Sequence, residues 1–175
     1  MSASANERAR RIRLLILDVD GVLTDGGLHF DNRGEEYKTF NSLDGHGIRM
    51  LLDCGIDVAV ITGRQSNIVE HRMNELGVRH LYQGRSDKLA AFEELLQQTG
   101  IAAEQAAYVG DDLPDLPVLQ RVGLSIAVAN AHAFVRRHCD LVTQGYGGRG
   151  AVREVTDFIL QAQSLLDERQ AGYLA

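Results

Sequence analysis

Residues 13–20 read RLLILDVD, an apolar run that ends in two aspartates, Asp18 and Asp20. A short, continuous apolar run of this kind is typical of a parallel strand that is buried on both faces. The pattern recurs at residues 56–61 before Thr62-Gly63, at residues 106–109 before Gly110-Asp111, and at residues 124–128 before Ala129-Asn130. We therefore predict four parallel strands, each followed by polar residues.

Helical patterns separate these apolar runs, and glycine follows most of them. They cover residues 47–52, 65–76 before Gly77, 87–98 before Gly100, and 113–122 before Gly123. Glycine just beyond the last periodic residue is a common helix stop. Strands that alternate with helices predict an α/β fold with a doubly wound, Rossmann-like parallel sheet. In such sheets ligands bind beyond the carboxyl ends of the strands, which is where the polar residues lie.

Two further segments complete the predicted architecture. Residues 26–40 alternate around Asp31-Asn32-Arg33-Gly34, which predicts a β-hairpin flap after the first strand. Residues 152–166 have the pattern of an amphipathic helix. We expect a single domain over residues 1–175, with its core in 12–166 and a polar C-terminal tail in 167–175.

The composition is that of an ordinary globular protein, with 45% hydrophobic and 24% charged residues and a formal net charge of -6. The negative charge argues against binding to nucleic acid, and we expect the basic run at residues 8–13 to be a solvated terminus. No apolar stretch is long enough for a membrane helix. Cys54 and Cys139 are far apart in the sequence, which suits reduced thiols and a cytoplasmic location.

The segment after the first strand carries the chemical signal. A bare DxD pair is weak evidence, but residues 18–25 read DVDGVLTD directly after a buried strand. Here the chain resembles the haloacid dehalogenase superfamily of phosphohydrolases, whose four motifs can be matched in order. The matching positions are Asp18 and Asp20, Thr62 in VITGR, Lys88, and Asp111 in VGDDLPD.

The resemblance implies a role for each matched residue. Asp18 is the expected nucleophile, Asp20 the general acid and base, and Thr62 and Lys88 bind the transferred phosphoryl group. The resemblance also implies Mg²⁺ held by the carboxylates of Asp18 and Asp111 and the backbone carbonyl of Asp20, with Asp112 or Asp115 orienting bound water. A hard cation is physically reasonable here, since a phosphate dianion is repelled by a carboxylate unless positive charge neutralises the site.

Lysine at position 88 is informative because the chain contains only two lysines, Lys38 and Lys88, among 18 basic residues. Exposed lysine on a helix is otherwise the norm, and a solvated first-turn residue is the alternative interpretation. The position therefore favours, but does not by itself establish, a phosphate-binding role.

The spacing of the motifs predicts a capless enzyme, because neither gap between them can house a full cap domain. Such a chain either accepts large, exposed phosphoesters or borrows a lid from a neighbouring subunit. We expect a homotetramer, with the hairpin and the tail residues 173–175 as candidate contacts. Three stretches, FNSLDGHGIR at 40–49, VITGR at 60–64 and GGRGAVRE at 147–154, resemble the 3-deoxy-D-manno-octulosonate 8-phosphate phosphatases of lipopolysaccharide biosynthesis. That resemblance implies substrate contacts from Asp20, Asn41, Ser42, Leu43, Asp44, Gly45, Arg49, Arg64, Arg72 and Lys88.

Other functions remain open at this point. A phosphatase for a nine-carbon acidic sugar phosphate would share all these motifs. A receiver-type signalling module also uses a phosphorylated aspartate, but its acidic pair comes first and its acceptor aspartate lies on a middle strand, the reverse of the order here. A non-catalytic regulatory domain would have lost catalytic acids, and Asp18, Asp20 and Asp111 are all present.

Overall fold

The computed structural model describes residues 4–174, which form a six-stranded parallel sheet and a separate two-stranded hairpin. The strands are β1 (Leu14–Leu17), β2 (His29–Phe30), β3 (Glu36–Tyr37), β4 (Asp57–Ile61), β5 (His80–Tyr82), β6 (Ala106–Gly110), β7 (Leu124–Ala127) and β8 (Leu141–Val142). In the large sheet they lie in the order β5-β4-β1-β6-β7-β8. Strands β2 and β3 are antiparallel and form the hairpin.

Helices connect these strands, and the predicted doubly wound α/β class is confirmed. The helices are α1 (Ala5–Ala9), α2 (Ser42–Asp53), α3 (Asn67–Leu76), α4 (Lys88–Thr99), α5 (Leu116–Leu119), α6 (Ala133–Arg136), α7 (Ala151–Ala162) and α8 (Leu166–Ala171). Helix α2 packs against α7, which also contacts α1, while α4 packs against α5. Both α3 and α4 end at a glycine in the left-handed conformation, Gly77 and Gly100, as the sequence predicts.

The position of β1 explains where a site can form. All four residues of β1 are fully buried, and the strand pairs with β4 on one side and with β6 on the other. Leu17 lies opposite Val60 of β4 and Val109 of β6, so the three strands end nearly level with one another. The residues that follow them therefore meet at the middle of one sheet edge.

The structure differs from the predicted elements in four places. Strands β5 and β8 have only three and two residues, too few for a recognisable apolar run. Helix α2 begins at Ser42 rather than near residue 47, because Asn41 accepts hydrogen bonds from the backbone N–H groups of Leu43 and Asp44. Residues 113–122 form only a 3₁₀ turn and the short α5.

Both ends of the described chain are more ordered than predicted. Arg10, Arg11 and Arg13 of the basic run are exposed, as predicted. The run is nevertheless ordered, because it overlaps α1, whose Ala9 is fully buried, and Arg8 donates to the carbonyl of Gly123. The C-terminal tail is largely helical, since α8 occupies residues 166–171, and the Tyr173 hydroxyl lies 3.2 Å from His46 Nε2. Ala175 lies outside the described residues. Across residues 4–174 we find no helix with both the length and the apolar character needed to cross a bilayer.

Candidate active site

The ends of three neighbouring strands bring the predicted catalytic residues together. Asp18 follows β1, Thr62 follows β4, and Asp111 follows β6, while Lys88 is the first residue of α4. A cavity of about 310 Å³ lies at this edge. It is lined by the four predicted catalytic residues, Asp18, Asp20, Thr62 and Lys88, and also by Arg64, Asp111, Asp112 and Asp115. The geometry thus assembles residues that are up to about a hundred positions apart.

The loop after β1 turns sharply over Val19–Leu23, and this turn depends on Gly21. Its φ of 89° is left-handed, a region that disfavours other residues. A Cβ atom on Gly21 would also overlap the Asp111 carboxylate. Glycine is therefore required here both for the backbone conformation and for the close approach of the two acidic loops.

The glycine-rich stretch at 147–150 packs against the same turn. A Cβ atom on Gly147 would overlap the carbonyl of Gly21, and Gly148 N donates to the Val22 carbonyl over 2.9 Å. The Asn130 side chain accepts from Gly147 N at 2.9 Å and holds this stretch in place. These contacts explain the glycines as backbone packing against the loop after β1.

Lys88 forms a buried bridge between two carboxylates. Its Nζ lies 3.0 Å from Asp18 Oδ2 and 2.6 Å from Asp115 Oδ1, and its side chain is 6% exposed. Burial disfavours the ammonium form, but the charges of Asp18 and Asp115 outweigh it and raise the pKa of Lys88 above its ordinary value. The lysine is therefore fully charged at neutral pH, and the interpretation as a solvated surface residue is wrong.

Asp115 has all its acceptor positions occupied by protein donors. Lys88 and the Tyr108 hydroxyl donate to Oδ1, and the backbone N–H groups of Asp111 and Asp112 donate to Oδ2. A carboxylate with four donors has little capacity left for a metal ion. Through its bonds to the backbone N–H groups, Asp115 holds the Asp111 loop in position. Tyr108 was missed because it lies inside an apolar strand.

Asp18 and Asp111 are the carboxylates best placed to bind a cation. One oxygen from each, together with one from Asp115, all lie within 4.8 Å of one another. Burial, and then the charge of Asp115, raise the pKa of Asp18 to about 6 and that of Asp111 to about 7. Clustered carboxylates that repel one another so strongly fit a hard divalent cation, which would relieve both the repulsion and the cost of burial.

Asp20 contacts two cations, one of which the sequence did not assign. Lys38 Nζ lies 2.5 Å from Asp20 Oδ1, and Arg64 Nε lies 3.7 Å from Asp20 Oδ2. Both cations also pair with Glu36 on β3. Lys38 and Glu36 were missed because they belong to the hairpin, whose position over the site follows from tertiary structure.

Of the other residues predicted to contact substrate, Arg64 lines the cavity. The segment 41–45 and Arg49 lie at the start of α2 and along it, and Arg72 lies on α3. Asp44 is buried and accepts from Gly150 N and Arg153 N at the start of α7, over 3.3 and 2.8 Å. In this chain its carboxylate therefore acts as a helix cap.

Arg49 and Arg72 do not line the cavity beside Asp18. Arg72 packs so closely on Gly45 that a Cβ atom there would overlap its guanidinium, and it pairs with Glu75 at 2.7 Å. Arg49 donates to the Leu76 carbonyl and lines a separate cavity of about 520 Å³ at the opposite edge of the sheet. That cavity is larger, but the buried ion pairs of Lys88 with Asp18 and Asp115 lie at the smaller one. We therefore place the candidate active site at the smaller cavity, at the carboxyl ends of the strands.

Comparison with known proteins identifies the family. A family model described as haloacid dehalogenase-like hydrolase matches residues 77–152. The chain is 56% identical over 168 residues to the 3-deoxy-D-manno-octulosonate 8-phosphate phosphatase KdsC of Escherichia coli strain B / BL21-DE3, covering 96% of this chain and 89% of that protein. The chain belongs to the haloacid dehalogenase-like hydrolases. The resemblance inferred from the four motifs is therefore confirmed.

Solved structures of family members share this fold. The crystal structure of 3-deoxy-D-manno-octulosonate 8-phosphate phosphatase from Yersinia pestis matches with a TM-score of 0.92 and 55% identity, covering 93% of this chain and 88% of that one. The enzyme of that name from Moraxella catarrhalis matches with a TM-score of 0.95 and 42% identity, over 97% of each chain. That structure contains a magnesium ion, a phosphate ion and a KDO molecule.

Proposed function

We propose that this chain is a magnesium-dependent phosphatase that hydrolyses 3-deoxy-D-manno-octulosonate 8-phosphate to the free acidic sugar and phosphate, in lipopolysaccharide biosynthesis. The observation that carries the proposal is the buried Asp18–Lys88–Asp115 bridge beside Asp111, at the carboxyl edge of the sheet. The relatives named above support the choice of substrate. These relatives are hydrolases, which argues against a receiver module. The acidic residues also occur in the reverse of the order that a receiver would have.

The first half of the reaction uses the carboxylates at the sheet edge. A divalent cation held by Asp18 and Asp111, with the Asp20 carbonyl, supplies the positive charge that lets a phosphate dianion approach. An Asp18 oxygen bonds to phosphorus as the bond from phosphorus to the sugar oxygen breaks. Asp20 protonates the departing sugar oxygen. Lys88, Thr62 and the backbone N–H groups after Asp18 stabilise the negative charge on the phosphoryl oxygens.

The second half regenerates the enzyme. Asp20, now deprotonated, takes a proton from a water molecule as the water oxygen bonds to phosphorus. The bond from phosphorus to the Asp18 oxygen breaks, which releases inorganic phosphate and restores both carboxyl groups to their starting state. Throughout, Lys88 stays fixed by Asp115, so its charge needs no rearrangement between the two steps.

The decisive experiment combines a substrate panel with trapping of the intermediate. We expect phosphate release with magnesium to be much faster for 3-deoxy-D-manno-octulosonate 8-phosphate than for a nine-carbon ulosonate 9-phosphate or a neutral hexose phosphate. Acid quenching should trap phosphate on the protein, and Asp18→Asn should abolish both signals. Asp57→Asn, which removes an exposed carboxylate at the opposite edge of the sheet, is the matched control. Faster turnover of the nine-carbon substrate would reassign the specificity, and equal rates across the panel would refute it.

We also propose that the active form is a cytoplasmic homotetramer in which neighbouring subunits cover the site. Three large apolar side chains of the hairpin region, Leu28, Phe30 and Tyr37, are each more than half exposed, a pattern typical of contact surfaces. Arg49 and Arg72 lie away from the cavity of their own chain, which suits a contribution to a neighbour's site. Light scattering should give four times the chain mass for the native protein and a smaller mass for Leu28→Asp. A monomer of full activity would refute this part.

A further inference from the structure

Lys38, at the end of the hairpin, has a buried side chain that contacts Asp20, the carboxylate that we assign as the general acid. Lys38 follows β3, and its Nζ lies 2.5 Å from Asp20 Oδ1 and 3.1 Å from Glu36 Oε1. The Lys38 side chain is only 2% exposed. A lysine in this position is well outside the usual pattern, in which the ammonium group stays in water.

Burial of that ammonium group is costly unless carboxylates neutralise it. Water no longer solvates the buried ammonium group, so its pairing with Asp20 and Glu36 is what keeps Lys38 in place. Lysine also fits this position better than arginine would, because a compact ammonium can lie between two carboxylates while a guanidinium is a broad planar fork. Almost all other basic residues of this chain are arginine, so lysine is unusual at position 38. Its presence there fits a site between two closely spaced carboxylates.

Glu36 holds a second cation against the same carboxylate. Arg64 Nη2 lies 2.6 Å from Glu36 Oε1, and Arg64 Nε lies 3.7 Å from Asp20 Oδ2. The Arg64 guanidinium also lies over the Phe30 ring of the hairpin, 5.8 Å from its centre. The two oxygens of Asp20 therefore face different cations, and both cations are tied to Glu36.

We propose that Lys38 and Glu36 are positioning residues that orient the Asp20 carboxyl group toward the leaving oxygen, an inference that rests on the proposed role of Asp20 as general acid and base. Lys38 Nζ lies 2.5 Å from Oδ1, so a proton on that oxygen would face the ammonium group at close range. The transferable proton is thereby directed to Oδ2, from which Arg64 Nε lies farther away, at 3.7 Å. The hairpin thus acts in the chemistry of the first step as well as covering the site.

The test compares a leaving group that needs protonation with one that does not. Single-turnover release of the leaving group is measured for the octulosonate 8-phosphate and for 4-nitrophenyl phosphate, so that the later hydrolysis step does not interfere. General acid catalysis contributes roughly 100-fold or more, and only to the sugar ester. For Lys38→Met and Glu36→Gln we expect the rate with the sugar ester to fall about tenfold or more and the rate with the aryl ester to change less than about threefold.

Controls separate this proposal from the one on which it rests. Arg85→Met removes an exposed cation paired with Glu94, away from the cavity, and should leave both rates unchanged. If Asp20→Asn slows both esters equally, the assignment of Asp20 fails. If Asp20→Asn slows only the sugar ester while Lys38→Met and Glu36→Gln slow both esters equally or neither, the positioning role alone is overturned. Should Lys38→Met fail to fold, Glu36→Gln, which keeps the shape of its side chain, decides the outcome.

Discussion

Replacement of Asp111 by asparagine tests the electrostatics of the site in the metal-free protein. The change removes one negative charge and keeps the size of the side chain. In the folded chain, burial and the nearby carboxylates raise the pKa of Asp111 from 3.8 to about 7. The folded state therefore retains a proton that the unfolded state has released, and stability falls as the pH rises from about 4 toward about 7.

The expected change in stability follows from the size of the pKa shift of Asp111. A rise from 3.8 to about 7 corresponds to about 4 kcal/mol of lost stability above pH 7. Asp111 is only partly buried, and water screens its interactions, so about 2 kcal/mol is the expected effect. In the presence of a chelator at pH 8, Asp111→Asn should thus be more stable than the native protein by about 2 kcal/mol, and the difference should vanish near about pH 4.

Urea unfolding, with and without saturating magnesium, measures both parts of this prediction. Magnesium should stabilise the native protein, because a ligand that binds only the folded state shifts the unfolding equilibrium, and it should stabilise Asp111→Asn far less. Asp57→Asn serves as the control for removal of a carboxylate outside the site. The reasoning is refuted if Asp111→Asn is the less stable protein in chelator at pH 8, or if magnesium stabilises both proteins equally.

Three further substitutions test individual contacts. Gly21→Ala should abolish phosphate release while circular dichroism shows a retained fold, because its Cβ atom would overlap the Asp111 carboxylate; near-native activity would contradict this. Tyr108→Phe should lower the free energy of unfolding in urea by about 1–3 kcal/mol, since a buried hydrogen bond to the Asp115 carboxylate is lost, and an unchanged midpoint would argue against it. Asp44→Ala should cost about 1–2 kcal/mol through the lost cap of α7, whereas equal urea stability would show that the cap is dispensable.

The sequence predicts the centre of the fold well because its strands there are strongly apolar. Strands β1, β4 and β6 are predicted as uninterrupted apolar runs, and each is followed by a residue to which the family motifs assign a chemical role. Strand β8, with two residues, leaves no comparable signal, and α1 is too short to show periodicity. These peripheral elements depend on tertiary packing, as when α1 packs against α7.

The site was predicted to the extent that its residues lie at strand ends. Asp18, Thr62 and Asp111 fall into this group, and Lys88 was added from the family motifs. Lys38 could have been suspected from the rarity of lysine in this chain, but nothing local places it next to Asp20. The contact between Lys38 and Asp20 depends on how the hairpin packs at the edge of the sheet. The pattern of apolar residues in the sequence carries no information about that packing.

The packing of the glycine-rich stretch against the nucleophile turn has a consequence for biosynthesis. Gly148 N donates to the Val22 carbonyl, so the loop after β1 obtains part of its support from a segment that is synthesised much later than the loop itself. A nascent chain that ends before this stretch lacks the contacts that Gly147 and Gly148 make with this loop. We therefore expect the loop to reach its final shape only after residues 147–148 have been synthesised.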